Sequence, residues 1–163
     1  MQLPELDDLY REVVLDHYRS PRGRAPLEHA DVHNEGFNPV CGDEVRVALC
    51  FDAGRVAGVE VQGRGCSISV ASGSMLAERL AGLAAAEVEG LAAAFKALMH
   101  GEPVPDGVDL GDLEALSGVR RFPVRIKCAL LAWTTLEDAL RAWQRGQAEP
   151  GRSSTTEDEG ERS

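Results

Sequence analysis

The chain carries four cysteines, and three of them lie where the local sequence favours a metal ligand or an ionised thiol. Cys41 stands two residues before Asp43 in the motif NPVCGD, whose proline and glycine favour a tight loop that turns both side chains toward one point. Cys66 lies in GRGCSIS, between a glycine turn and a predicted helix, and Cys128 lies in RIKCALL, near the start of the last predicted helix. A helix N-terminus carries partial positive charge and free amide donors, so both positions should favour a thiolate.

Cys41, Asp43, Cys66 and Cys128 together offer three sulfur ligands and one oxygen ligand. This donor set suits a tetrahedral zinc site, and it also suits the attachment of an iron–sulfur cluster. Each cysteine alone could instead be a small buried apolar residue, and Asp43 could bond the backbone of its own loop. Cys50 is interpreted in that way, because it lies inside a predicted strand with no turn or helix end nearby.

Composition limits the remaining functions. The formal charge of −10, from 17 basic and 27 acidic residues, disfavours binding to nucleic acid, which needs a cationic surface. No apolar run approaches the ~18 residues of a membrane-spanning helix. The acidic start MQLPELDDLY does not resemble a signal peptide, so we expect a cytoplasmic location, where cysteines serve metals or sulfur chemistry more often than disulfides. His17 falls on the apolar side of the first predicted helix and is expected to be packed rather than to bind metal.

Hydrophobic periodicity predicts the elements that position these residues. Strict alternation of apolar residues in 44–52, followed by the turn Ala53-Gly54 and a returning strand, is typical of a β-hairpin. Apolar residues at steps of three and four predict helices in much of the remaining chain. The predicted elements are a helix at 4–19, strands at 32–37, 44–52 and 55–62, a helix that Ser67 or Ser69 caps and that ends near residue 80, and helices at 85–99, 109–116 and 123–143.

This order of elements predicts an α+β fold, in which a small antiparallel sheet of about three strands packs against several helices. Residues 1–143 are predicted to form a single domain. Residues 144–163 lack apolar periodicity and carry more acids than arginines, so they are predicted to form a disordered acidic tail.

Four motifs, LYREVVLDHYRSPRG, NPVCGD, GRGCSISVASGSM and RIKCALLAW, occur in this order and resemble the SufU branch of the NifU N-terminal/IscU-like family of iron–sulfur cluster assembly proteins. The resemblance extends over residues 6–140. It implies a SufE/NifU-like α+β fold with a three-stranded antiparallel sheet. It also implies a metal site formed by Cys41, Asp43, Cys66 and Cys128. Proteins of the SufU type bind zinc and accept sulfur from a SufS-type cysteine desulfurase.

One departure from the IscU pattern favours the sulfur-transfer branch. IscU-like scaffolds carry a histidine immediately before the last cysteine, and Lys127 occupies that position here. The site therefore lacks a neutral ligand that a cluster could use. Two alternatives stay open: a scaffold on which a transient [2Fe-2S] cluster is built, and a structural zinc domain without a catalytic role.

The sulfur-transfer hypothesis gives each residue a part. Cys41 is the expected persulfide acceptor, because the adjoining Gly42 and the proline loop give it freedom to swing outward. Cys66 and Cys128 would anchor Zn²⁺, and Asp43 would tune the site. The desulfurase should dock near the densest basic cluster of an otherwise acidic domain, and downstream Suf scaffold proteins are further candidate partners. This basic cluster comprises Arg120, Arg121, Arg125 and Lys127.

Overall fold

Three antiparallel strands and their covering helices build the α+β fold that the sequence predicts. The computed structural model describes residues 4–146 and 152–154, with side chains from residue 10 to residue 146. In chain order the elements are α1 (Pro4–Arg19), β1 (Val32–Asn38), β2 (Asp43–Asp52), β3 (Arg55–Arg64), α2 (Ser67–Leu80), α3 (Ala85–Met99), a 3₁₀ helix (Gly111–Arg121), α4 (Pro123–Gln144) and β4 (Arg152–Ser154).

The sheet has the strand order β3-β2-β1-β4, so β2 is central between its two antiparallel neighbours. The β2–β3 hairpin turns through Ala53 and Gly54, whose positive φ angles of 54° and 79° match a two-residue primed turn. The β1–β2 ladder ends at the pair Asn38 and Asp43, and the β2–β3 ladder begins at Glu44 and Arg64. The NPVCGD loop and the chain leading to Cys66 therefore emerge at the same end of the sheet.

Helices α2 and α4 cover one face of this sheet and hold each other in register. The strands contribute Val45, Val47 and Leu49, all buried, to a core that includes the fully buried Trp133 of α4. The Trp133 indole N–H donates to Ser72 Oγ of α2 at 3.1 Å, and that hydroxyl donates to the carbonyl of Ala129 at 2.6 Å. Because buried polar groups are costly when unpaired, this chain of bonds fixes how α4 lies on α2.

The helix predicted at 109–116 differs from the observed one in type and extent. The observed segment is a 3₁₀ helix that begins at Gly111 and continues to Arg121. Asp109 does not cap it directly; its carboxylate accepts the backbone N–H of Gly111 and forms a turn two residues earlier. Gly111 adopts a φ of 56°, which separates that turn from the helix. The other predicted helices and strands agree with the structure to within three residues at each end.

The C-terminal residues differ in part from the predicted disordered tail. Helix α4 extends through Gln144, and Arg152–Ser154 form β4, which pairs in parallel with Glu35–Phe37 of β1. The free edge of β1 offers unpaired backbone groups, which explains why a segment without apolar pattern can still join the sheet. Residues 147–151 and 155–163 lie outside the described residues. Within the described part of the chain, no helix combines the length and the apolar character needed to cross a membrane.

Candidate metal centre

The β1–β2 loop, residues 39–42, carries Cys41 at the end of the sheet. The loop closes through a hydrogen bond from the Gly42 N–H to the Asn38 carbonyl at 2.7 Å. Gly42 has a φ of 78°, a conformation that side chains with a Cβ rarely adopt. The sequence therefore makes the predicted tight loop, and its geometry leaves Cys41 exposed directly beside the buried Asp43.

Asp43 is the fixed point of this cluster. Its Oδ1 accepts the backbone N–H of Cys66 at 2.8 Å, while its Oδ2 lies 3.7 Å from the Cys66 sulfur. Gly65 makes this contact possible, because a Cβ built at this position would lie 2.2 Å from Asp43 Oδ1. Gly65 also has a φ of 135°. One carboxylate oxygen is thus held by the backbone, and the other faces the thiols.

Cys66 itself occupies the N-cap position of α2, so the sequence-based assignment of the cap to Ser67 or Ser69 is wrong. Its backbone is extended (φ −72°, ψ 162°), and its sulfur accepts the backbone N–H of Ser69 at 3.5 Å. Serine is the commoner cap by propensity. Here Gly65 and Asp43 fix the chain one residue earlier, and this places the cysteine where the cap must be.

Cys128 reaches the cluster from the second turn of α4 and is fully buried. Its sulfur lies 3.5 Å from the sulfur of Cys41 and 3.9 Å from the carbonyl oxygen of Val124. A further contact comes from Asn38, whose amide Nδ2 donates to the Cys128 sulfur at 3.8 Å. Asn38 was not among the residues predicted from the sequence, although it begins the NPVCGD motif and is the last residue of β1.

Three of the four predicted ligand residues form one compact cluster, and Cys66 lies at its edge. Ligand atoms of Cys41, Asp43 and Cys128 all lie within 4.8 Å of one another, and Cys66 joins them through its contact with Asp43. Around a tetrahedral zinc ion with Zn–S bonds of about 2.3 Å, ligand atoms are separated by roughly 3.5–3.8 Å. The observed separations of 3.5 Å and 3.7 Å match that spacing. The donor set and these two separations fit zinc.

Cys66 and Cys128 are less exposed than Cys41, and their two thiols differ sharply in acidity. A hydrogen bond from the Cys128 thiol lowers the pKa of Cys66 to about 6, and the amide of Ser69 acts in the same direction against the effect of burial. The same bond to Cys66, together with burial, raises the pKa of Cys128. The prediction that the start of α4 would favour the Cys128 thiolate is therefore wrong for the metal-free protein. The helix dipole acts within the first turn, and Cys128 lies beyond it.

Cys50 and His17 lie apart from this cluster. Cys50 is partly buried on β2, away from the end of the sheet that carries the cluster. His17 is fully buried, with Nδ1 2.7 Å from Ser74 Oγ and Nε2 2.9 Å from Asp112 Oδ2. Because Ser74 Oγ already accepts the N–H of Arg22, its own proton is directed to Nδ1. The Nε2 proton then points to Asp112, so this cluster ties α1, α2 and the 3₁₀ helix together through hydrogen bonds.

Comparisons with known proteins agree with this architecture. The NifU-like N-terminal domain family matches residues 9–149. The zinc-dependent sulfurtransferase SufU of Bacillus subtilis is 42% identical over 135 residues, which cover 83% of this chain and 91% of that protein. The iron–sulfur cluster assembly scaffold protein IscU of Streptococcus pyogenes is 36% identical over 86% of this chain and 88% of its own length.

A solved structure extends the comparison to the fold. A crystal structure from Fervidobacterium islandicum, described as an iron–sulfur cluster assembly scaffold protein for the SUF system, superposes with a TM-score of 0.75. Its sequence is 33% identical, and the match covers 79% of this chain and 94% of the other.

Proposed function

This chain belongs to the family of NifU-like N-terminal domains, and we propose that within this family it accepts persulfide sulfur from a SufS-type cysteine desulfurase during iron–sulfur cluster assembly. Cys41, Asp43, Cys66 and Cys128 would hold a zinc ion. A bound zinc ion supplies the positive charge that keeps thiols deprotonated at neutral pH. The single observation that carries the proposal is the contrast between an exposed Cys41 and its buried neighbours Asp43 and Cys128.

This contrast distinguishes the residues that would anchor the zinc ion from the cysteine that would accept the sulfur. Asp43 and Cys128 are enclosed by the sheet and α4, and Cys66 is fixed at the start of α2, so these three cannot move without disturbing packed elements. Cys41 lies in a four-residue loop next to Gly42, where a Cβ would contact no atom within 4 Å. The loop therefore has room to carry Cys41 toward a partner while the other three residues stay in place.

The transfer step needs no external oxidant. The Cys41 thiolate attacks the terminal sulfur of the desulfurase cysteine persulfide, and a new sulfur–sulfur bond forms on Cys41. The sulfur–sulfur bond in the desulfurase breaks, and its electron pair leaves on the desulfurase cysteine as a thiolate. Cys41 then carries the persulfide, which a downstream Suf scaffold protein can accept in turn.

We place this relay in the cytoplasm, because the proposed chemistry needs Cys41, Cys66 and Cys128 as thiols. The Cys41 and Cys128 sulfurs lie only 3.5 Å apart. In an oxidising compartment such a pair would be exposed to disulfide formation, which would remove both the acceptor and an anchor.

The test is intact-mass measurement after mixing the zinc-loaded protein with a desulfurase and cysteine, without reductant. The wild-type chain should gain the mass of one sulfur atom, and Cys41→Ala should not. Cys50→Ala is the matched control, because Cys50 is a thiol of the same chain away from the cluster, and it should load like the wild type. Equal loading of Cys41→Ala and wild type would show that the acceptor assignment is wrong.

A scaffold role is the second candidate, favoured by the similarity to the Streptococcus pyogenes scaffold protein. The same three thiols would then hold a transient [2Fe-2S] cluster. Anaerobic reconstitution with iron and sulfide separates the two functions. A stable chromophore that passes to an apo-acceptor supports the scaffold, whereas retention of zinc with no chromophore supports the sulfur relay.

A further inference from the structure

Asn38 is a polar residue at the junction between β1 and the loop that carries Cys41. It is the last residue of β1, it is fully buried, and it pairs with Asp43 at the end of the β1–β2 ladder. Zinc in proteins is usually bound by cysteine, histidine or carboxylate side chains, so Asn38 is not expected to be a ligand itself. Its polar atoms must therefore be explained by the hydrogen bonds that they form inside the protein.

Asn38 accepts hydrogen bonds from both residues that flank Cys41. Val40 donates its backbone N–H to Asn38 Oδ1 at 3.1 Å, and Gly42 donates its backbone N–H to the Asn38 carbonyl at 2.7 Å. Pro39, which begins the loop, has no N–H to donate. The loop is therefore closed onto one residue from both sides of Cys41.

The other end of the Asn38 amide contacts an anchoring cysteine. Since Oδ1 accepts the N–H of Val40, the NH₂ group must face the opposite side, where Nδ2 donates to the Cys128 sulfur at 3.8 Å. A zinc-bound cysteine is a thiolate, and a charged acceptor forms a stronger hydrogen bond than a neutral one. One buried side chain thus links the loop of Cys41 to the fixed thiol of α4.

We propose that Asn38 is a positioning residue of the metal centre, which holds the 39–42 loop closed and sets how often Cys41 leaves the metal. This role rests on the proposed function, because it takes Cys41 as the ligand that moves. When Cys41 swings outward, the N–H of the adjoining Val40 is drawn away from Asn38 Oδ1. A neutral hydrogen bond of this kind shifts the equilibrium between a closed and an open loop by about 2–10-fold.

The bond from Asn38 to Cys128 adds a second effect, on metal affinity. Groups that orient a metal ligand through hydrogen bonds typically change metal affinity by about 10–100-fold. Asn38 would therefore tighten the site through Cys128 and restrain its opening through Val40. The relay gains from this restraint, because a thiolate that is released without a partner is open to oxidation.

Asn34 offers a matched comparison on the same strand. It lies four residues before Asn38 on the same face of β1, and it is also buried. Its Nδ2 donates to the carbonyl of Thr135 in α4 at 3.2 Å, two helical turns beyond Cys128. Both asparagines thus join β1 to α4, so a role in packing alone predicts that substitutions at the two positions act alike.

The first measurement is the alkylation rate of Cys41 in the zinc-loaded protein, read by peptide mass spectrometry, with zinc in excess so that every variant stays loaded. Asn38→Ala removes the acceptor of the Val40 N–H, so Cys41 should be alkylated about 2–10-fold faster than in wild type. Asn34→Ala should lower stability in urea but keep the wild-type rate. Equal rates in Asn38→Ala and wild type, or equal acceleration by both substitutions, would overturn the proposal.

The second measurement uses Asn38→Asp, which keeps the size of the side chain and an acceptor for Val40 but turns a carboxylate oxygen toward Cys128 in place of the amide donor. This variant should bind zinc about 10–100-fold more weakly than wild type. After substitution with Co²⁺, its sulfur-to-metal charge-transfer band should move to lower energy, because the sulfur keeps the electron density that the amide withdrew. An unchanged band and an unchanged or tighter zinc affinity would overturn the proposal.

Failure of this proposal and failure of the proposed function give different results, since neither measurement contains a desulfurase. If the wild-type chain gains no sulfur from a desulfurase while both Asn38 variants behave as expected, the sulfur relay is refuted and Asn38 still holds the loop. If the wild-type chain gains sulfur while both Asn38 variants match it in alkylation and zinc affinity, the role of Asn38 alone is refuted.

Discussion

Replacing Gly65 with alanine should disrupt the metal centre more than any other glycine substitution near it. The new Cβ would lie 2.2 Å from Asp43 Oδ1 and 2.8 Å from Asp43 Cα, so the carboxylate and its backbone would have to move. The φ of 135° adds backbone strain of about 1–3 kcal/mol for a residue with a Cβ. Loss of the Cys66 N–H to Asp43 bond costs about 1.5–3 kcal/mol more, because the acceptor is charged and buried.

Alanine substitutions at two neighbouring glycines, Gly63 and Gly42, distinguish the effect of the steric overlap from that of the backbone strain. Gly63→Ala meets only ordinary contacts, at 3.6 Å and beyond, and Gly63 has no positive φ, so this variant should be as stable as wild type. Gly42→Ala keeps a positive φ of 78° but enters open space. It should lose only the backbone strain of a left-handed residue, about 1–2 kcal/mol. Gly65→Ala should lose more stability than both, and it alone should misplace Asp43.

Two measurements check this order. Urea unfolding of the metal-free variants measures stability, and competition with a chromophoric zinc chelator measures metal affinity. Misplacing a group that orients a ligand costs about 10–100-fold in metal affinity, and this loss is expected for Gly65→Ala only. If Gly65→Ala bound zinc as tightly as Gly63→Ala, Asp43 would not depend on this contact, and its assignment as a ligand would lose its support.

In the metal-free protein, the rate at which Cys66 is alkylated should have its pH midpoint near the Cys66 pKa of about 6. The thiolate predominates at neutral pH, and the alkylation rate falls as the pH drops through 6. Peptide mass spectrometry should find Cys128 almost unmodified over the same range, since it is buried and its pKa is raised; equal rates for the two thiols would contradict this. His17→Ala should destabilise the fold by about 2–4 kcal/mol, because it leaves a cavity and removes the acceptor of the Ser74 hydroxyl proton, while zinc content stays the same. The control Tyr18→Ala, at the exposed neighbouring position, should lower the stability of the fold by less than about 1 kcal/mol. A drop in zinc content for His17→Ala alone would show that His17 contributes to metal binding.

The parts of the fold that local pattern determines were predictable from the sequence. Helix α1 and the β2–β3 hairpin have strong apolar periodicity and clear turn residues, and the structure confirms both. Positions decided by tertiary contacts were not predictable in this way. Cys66 caps α2 because Gly65 and Asp43 fix the preceding residue, and this contact joins positions 22 residues apart.

The same distinction applies to the site. Residue types and the family resemblance predicted four ligands, because each carries metal-binding chemistry, and the structure brings Cys41, Asp43 and Cys128 together. Asn38 was missed because an asparagine before a proline is a common loop residue, and only the structure brings its amide to the Cys128 sulfur. The acidity of Cys128 was predicted with the wrong sign, because the sequence shows the helix start and the flanking cations but not the neighbouring Cys66 thiol.

A sulfur relay needs one ligand that moves and several that do not, and the sheet explains how one chain provides both. Asp43 at the start of β2 and Cys66 at the start of α2 are held together by the hydrogen bond that the backbone N–H of Cys66 donates to the Asp43 carboxylate. Cys128 is held by a helix locked to α2 through Ser72 and Trp133. The β1–β2 loop, by contrast, has open space beside it, since a Cβ at Gly42 would contact nothing within 4 Å. The cost of moving Cys41 is therefore confined to four loop residues, which is why we expect Cys41, and not the more acidic Cys66, to receive the sulfur.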